Sequence, residues 1–163
     1  MSAELVFASG QVVGCIVSQL IAALAHLHKE WHRAHRDLKP GNILLDTQGG
    51  VRVTDLGQSK QMAATLGMMG SFVGAQVYMS PQRIQGASYT SACDVWSVGL
   101  IAQECLEGEF PYHKVLRSQG MEPSVDLLIE VMEEEAPPPL APETFGQNAR
   151  DFCSAALTLA EER

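Results

Sequence analysis

The sequence predicts a mainly α-helical fold with one small β-hairpin, an α+β arrangement, on three observations. Apolar residues at Val13, Ile16, Val17, Leu20, Ile21, Leu24 and Leu27 recur at the i, i+3, i+4 spacing of one buried helix face. Between residues 91 and 107, Val95, Trp96, Val98, Leu100, Ile101, Ala102, Cys105 and Leu106 cover almost every side of a second helix, which places that helix at the centre of the fold. Two short apolar runs, Ile43-Leu44-Leu45 and Val51-Arg52-Val53, flank the turn formers Gln48-Gly49-Gly50 and read as a hairpin.

The chain has 163 residues, 46% hydrophobic and 18% charged, the composition of one globular domain. Nineteen acids against eleven bases leave a net charge of −8, which argues against nucleic acid as a partner, because phosphate backbones need an excess of cations. Cys15, Cys93, Cys105 and Cys153 form no C-x-x-C pair and stand among apolar neighbours, as buried thiols of a reduced, cytoplasmic setting do. No basic segment precedes the few apolar residues of Met1–Gly10, so no targeting signal is expected. The most apolar stretch, Val12–Leu27, has 16 residues and falls short of the roughly 18 of a membrane span, so no membrane partner is expected.

The first helix is expected over residues 11–30, followed by a polar, irregular stretch over 33–42 and the hairpin. Residues 56–90 sustain no period and are punctuated by Gly57, Gly67, Gly70, Gly74, Pro81 and Gly86; a loop this long is functional or disordered. The central helix covers 91–107 and Gly108 stops it. Ser124 caps a helix to about Met132. Glu133–Glu135 and Pro137–Pro139 then form a stiff, solvated connection. A last helix is expected from about Gly146 to Arg163, with Phe152, Ala155, Ala156 and Leu159 on its apolar face.

The densest polar cluster runs from His35 to Asn42, with Asp55 13 residues beyond Asn42. Asp37 can take a proton from an attacking hydroxyl. Lys39, two residues on, points to the same side of an extended loop and can neutralise a transferring phosphoryl group. Asn42 and Asp55 offer hard oxygen donors suited to Mg²⁺, and the hairpin between them would bring them together. A base, a cation and two metal oxygens are what phosphoryl transfer requires.

His35 to Asn42 resembles the catalytic loop H-R-D-L-x-x-x-N of the protein kinase family, and Asp55-Leu56-Gly57 is similar to its D-F-G motif with Leu for Phe. Met79-Ser80-Pro81-Gln82 resembles A-P-E. Asp94-Val95-Trp96-Ser97-Val98-Gly99 is similar to the start of the central helix of the C-terminal lobe. The resemblance, over about residues 11–163, implies a protein-kinase-like C-lobe that transfers the γ-phosphate of ATP to protein hydroxyls, with ATP and Mg²⁺ as cofactors. It implies that Asp37 is the base, Lys39 the phosphate-side cation, and Asn42 and Asp55 the metal ligands. Asp94 would hold the backbone of the loop that contains His35. Leu44 would floor the adenine pocket, or serve as strand core, or both. Lys39 marks the serine/threonine type, which dual-specificity kinases share.

Ser71-Phe72-Val73-Gly74, Tyr78-Met79-Ser80-Pro81, Gly108-Glu109-Phe110-Pro111-Tyr112 and the Pro137–Pro139 stretch resemble mitogen-activated protein kinase kinases. This implies a MAP kinase as protein substrate and an upstream activating kinase as partner. Ser71 matches a position phosphorylated in that subfamily and Thr65 lies near a second, although both could be plain loop hydroxyls. A phosphate there would pair with Arg36 beside the base.

The sequence departs from the family in places. The chain holds no Gly-rich loop, strand Lys or helix Glu, and only ten residues precede its first helix. The expectation is therefore a partial kinase domain over 1–163, with the N-lobe and the final helix absent. Ala75 replaces a Thr or Ser. Gln82 replaces the Glu of A-P-E, so its contact with Arg163 would lack charge-assisted strength. These departures leave an inactive kinase-like module that binds protein partners as a second reading. His26, His28, His32 and His35 invite a metal site, but no Cys or clear carboxylate completes one. Glu133–Glu135 reads as a solvated face. An apolar rim is expected near Leu44 and Leu56.

Overall fold

A computed structural model of the chain describes residues 10–56, 76–86 and 90–158. Helix α1 (Gly10–Glu30) leads through a 3₁₀ turn (Pro40–Asn42) into strands β1 (Ile43–Leu45) and β2 (Val51–Val53). A second 3₁₀ turn (Gln76–Tyr78) precedes α2 (Pro81–Ile84), α3 (Ala92–Glu107), α4 (Pro111–Ser118), α5 (Val125–Glu134) and α6 (Gln147–Ala156). The strands pair antiparallel, with Ile43 opposite Val53, Leu44 opposite Arg52 and Leu45 opposite Val51. The mainly helical fold with one hairpin is found.

Helix α3 is the hub, packed against α1 on one side and α6 on another. Twelve of its sixteen residues are buried, which is why its sequence is apolar all round. Gly99 lets α6 come close, since a Cβ there would lie 2.9 Å from both Ala156 Cβ and Leu157 Cδ2. Gly108 ends the helix at φ 71° and its N–H donates to the Glu104 carbonyl at 2.8 Å.

Helix α1 buries Val13, Leu20, Leu24 and Leu27, with Ile16, Val17 and Ile21 at the edge of the core. It has 21 residues against the 16 of the apolar stretch. Among the described residues it alone is long and apolar enough to cross a membrane. Length therefore does not exclude a span, contrary to the sequence expectation. In the fold, α1 is a packed helix whose polar residues bind the domain. Gln19 Nε2 donates to the Gly49 carbonyl at 3.0 Å, and its Oε1 accepts the Val51 N–H at 3.1 Å, which fastens the hairpin to the helix.

The structure corrects several expectations. Cys93, Cys105 and Cys153 are buried, but Cys15 is exposed because it falls on the outward side of α1. Helix α6 stops at Ala156 rather than near Arg163. Leu157 leaves helical geometry (φ −101°, ψ 20°) and turns its side chain into the groove beside Gly99. Helix α4 has no counterpart in the sequence expectation; Pro111 starts it, and Tyr112 and Leu116 bury its inner face. Ser124 caps α5 as expected, its Oγ accepting the Leu127 N–H at 3.3 Å. The proline connection is pinned rather than freely solvated. Gln103 Nε2 donates to the Pro138 carbonyl at 2.6 Å, the Tyr112 hydroxyl donates to the Glu135 carbonyl at 2.8 Å, and Pro137 is buried.

Candidate active site

The polar loop between α1 and β1 turns sharply at Arg36, whose φ of 72° is left-handed and disfavoured for a residue with a side chain. Asp94, in the first turn of α3 and 1% exposed, holds that turn. Its Oδ2 accepts the His35 N–H at 2.7 Å and its Oδ1 accepts the Arg36 N–H at 2.8 Å. Arg83 Nη1 donates to the Arg36 carbonyl from the other side. The turn delivers Asp37 into a buried position.

His35 joins the two halves of the site. Its Nδ1 accepts the Asp37 N–H at 3.3 Å, so the ring proton belongs on Nε2, which lies 2.8 Å from the Thr54 carbonyl. One imidazole thus ties Asp37 to the residue before Asp55. Asp37 Oδ2 accepts from Lys39 Nζ at 3.0 Å and from Asn42 Nδ2 at 3.0 Å. Asn42 Nδ2 also donates to the Asp37 carbonyl at 2.7 Å, an orientation that leaves the amide oxygen Oδ1 for another partner. The Thr54 N–H donates to the Asn42 carbonyl at 3.0 Å and closes the open end of the hairpin. Asn42 and the exposed Asp55 (φ 63°) are thereby brought to one end of the ladder.

Leu44 is 52% exposed on β1, so it is not strand core. Leu56, at 41%, is exposed as well, as the expectation of exposed apolar side chains near Leu44 and Leu56 requires, and so is Leu45. Gln82 sits half-buried in α2. Ser71, Thr65, Ala75 and Arg163 lie outside the described residues, so their expected roles have no geometry here. The histidines take separate partners: His28 reaches Asp94 at 2.7 Å, His35 reaches Thr54, and His26 meets the edge of Trp31 with centroids 6.1 Å apart. Among the described residues, no group of three or more His, Cys, Asp or Glu side chains gathers to hold an ion.

Two contacts escape the sequence. The bond from His28 to Asp94 spans 66 positions, and no local pattern signals it. The Tyr78 hydroxyl donates to Glu104 Oε2 at 2.6 Å. Burial pushes the Tyr78 phenol well above its ordinary range and also raises the Glu104 carboxyl. Ser97 Oγ donates to the Tyr78 carbonyl at 2.8 Å, so residues 76–80 are anchored along α3.

The loop, the hairpin end and the anchored Met79–Gln82 turn belong to a sequence that the protein kinase domain model matches over residues 2–163. The chain belongs to the protein kinase family. Mitogen-activated protein kinase kinase 1 of Arabidopsis thaliana is 38% identical over 143 residues, which is 88% of this chain and 39% of that protein. Mitogen-activated protein kinase kinase 2 of the same organism is 39% identical over 145 residues, 89% of this chain and 40% of that protein. Dual specificity mitogen-activated protein kinase kinase 1 of Dictyostelium discoideum is 42% identical over 112 residues, 69% of this chain and 17% of that protein. The chain thus spans about two-fifths of the length of the Arabidopsis relatives. These relatives are of the subfamily that the activation-segment residues resemble.

Proposed function

We propose that residues 1–163 form the C-terminal lobe of a serine/threonine or dual-specificity protein kinase of the mitogen-activated protein kinase kinase type. Its reaction is transfer of the ATP γ-phosphate to hydroxyls of a protein substrate, a MAP kinase, in a cytoplasmic cascade. The observation that carries this reading is the buried Asp37, its carboxylate hydrogen-bonded to Lys39 and Asn42 and its backbone N–H tied through His35 to the hairpin end that bears Asp55. Asp37 would accept the substrate hydroxyl proton, and Lys39 would turn its charge to the phosphoryl oxygens. The donors fit Mg²⁺: Asn42 Oδ1 and the Asp55 carboxylate are hard oxygens at one end of one ladder. Bound Mg-ATP would supply the phosphoryl group, and Leu44 with Leu56 would offer its base an apolar floor. An upstream kinase would phosphorylate Ser71 or Thr65, and the added phosphate would pair with the Arg36 cation.

The test is transfer of label from γ-labelled Mg-ATP to a catalytically dead MAP kinase by the chain and by Asp37→Asn. Loss of general-base catalysis should cut the rate by about 100-fold or more. Equal rates would remove Asp37 from the role. The exposed Leu44, Leu45 and Leu56 favour a second reading as a protein-binding module. That reading expects no transfer by either protein and undiminished binding of the MAP kinase.

A further inference from the structure

We propose that Arg83 is a positioning residue for Asp37. Its guanidinium fixes the plane of the Arg36–Asp37 peptide from the carbonyl side, and so makes the Met79–Gly86 turn a determinant of where Asp37 points. The functional meaning rests on Asp37 being the base; the exchange measurement that tests it does not.

The peptide unit between Arg36 and Asp37 is held at both ends. Its N–H donates to His35 Nδ1 at 3.3 Å, and its carbonyl accepts from Arg83 Nη1, 47 positions along the chain. The first bond is long, whereas the second has a charged donor, so the carbonyl end carries the stronger hold. The unit needs it because Arg36 lies at φ 72°, a left-handed conformation that a residue with a side chain leaves unless its surroundings fix it. The next peptide is fixed separately, since Asn42 Nδ2 donates to the Asp37 carbonyl at 2.7 Å. A rotation of the Arg36–Asp37 plane changes ψ of Arg36 and φ of Asp37, the two torsions that lead into Asp37.

The base of the Arg83 side chain is itself fixed. Ser80 and Pro81 are buried, the Arg83 N–H donates to the Ser80 carbonyl at 2.9 Å, and the Arg83 carbonyl accepts the Gly86 N–H at 3.2 Å. Helix α2 packs on α5, and Tyr78 just before it is bound by Ser97 and Glu104 of α3. From this base the half-buried side chain carries a planar head of N–H donors on a long stem, which reaches the loop. Burial and Asp94 raise the Cys93 thiol, and the Arg83 and Arg36 guanidiniums both draw it down, so both charges lie about the first turn of α3. One side chain thus couples the Met79–Gly86 turn to the peptide that enters Asp37.

Hydrogen exchange of the full chain, followed by NMR, tests this without nucleotide or substrate. A failure here is therefore separate from a failure of Asp37 as base. Arg83→Met keeps the stem and removes the donors; Arg83→Lys keeps a charged donor. In Arg83→Met the Asp37 amide should exchange about 10-fold faster or more. The His35 and Arg36 amides, bound to Asp94, should stay within about 3-fold of wild type. In Arg83→Lys the Asp37 amide should also stay within about 3-fold. Unchanged Asp37 exchange in Arg83→Met would overturn the proposal. So would equal acceleration at His35 and Arg36, or an Arg83→Lys variant that behaves like Arg83→Met. In the wild-type protein, the Arg83 Nη protons should give separate resonances, because a bound guanidinium does not rotate freely. A single averaged Nη signal would overturn the proposal even if neither variant folds.

Discussion

Replacing Asp94 by alanine removes the hub that joins α1, the loop from His35 to Asn42 and α3. The carboxylate is 1% exposed and takes N–H groups from His35 at 2.7 Å, Arg36 at 2.8 Å and His28 at 2.7 Å. Hydrogen bonds to a charged acceptor contribute about 1.5–3 kcal/mol each, roughly 4.5–9 kcal/mol gross for three. Removing the buried carboxylate also recovers its desolvation penalty, on the order of several kcal/mol. The buried His35 and Arg36 N–H groups then stand unsatisfied, at about 1–3 kcal/mol each. The net loss should be about 3–5 kcal/mol, as for removal of one partner from a buried charged pair. That is a large part of the roughly 5–15 kcal/mol that stabilises a domain. Urea unfolding followed by tryptophan fluorescence measures it, because Trp96 lies buried two residues after Asp94. Asp94→Asn keeps one acceptor oxygen and should lose about half as much. A loss below about 1 kcal/mol in Asp94→Ala would refute the reasoning.

Other expectations follow from packing and burial. Burial pushes the Cys105 thiol up to about 11, and those of Cys93 and Cys153 up to about 12, from 9.0. A raised folded pKa gives a contribution that is whole below the unfolded value and lost as pH rises through the folded one. Stability should therefore fall above about pH 9, and Tyr78 and Tyr112, shifted the same way, add to the fall. A Tm at about pH 10.5 equal to or above that at about pH 8 would contradict this. Of the four thiols, Cys15 alone should react quickly with a thiol reagent in the native protein, and all four after unfolding; fast native labelling of Cys153 would contradict the packing of α6 on α3. Gly99→Ala should cost about 1–3 kcal/mol by urea unfolding, since its Cβ would crowd Ala156 and Leu157; an unchanged midpoint would contradict that contact.

Features governed by local chemistry were legible in the sequence. The hairpin follows from two short apolar runs about a Gly-rich turn, and the α3 stop from Gly108, which adopts the left-handed conformation a glycine allows. The loop from His35 to Asn42 is contiguous, so its cluster of carboxylate, cation and amide can be read directly. What depends on distant partners was not legible. Cys15 has apolar neighbours in sequence yet faces outward, because helical phase rather than neighbourhood decides burial. Helix α4 is too short to show a period, although Pro111 at its first position and the Tyr112–Leu116 spacing are signals in hindsight. Helix α6 ends early because Leu157 is drawn toward Gly99, a residue on another helix. His28 looked like a member of a histidine cluster until the fold brought Asp94 to it.

The most direct test of a single metal–phosphate centre at the hairpin end uses Mn²⁺ with ATP in place of Mg²⁺, because the paramagnetic ion broadens NMR signals near it. The expected result is selective broadening at Asn42 and Asp55, none at Leu100, and loss of the effect in Asp55→Asn. Broadening centred on the exposed Glu133–Glu135 run, with Asn42 and Asp55 untouched, would contradict it.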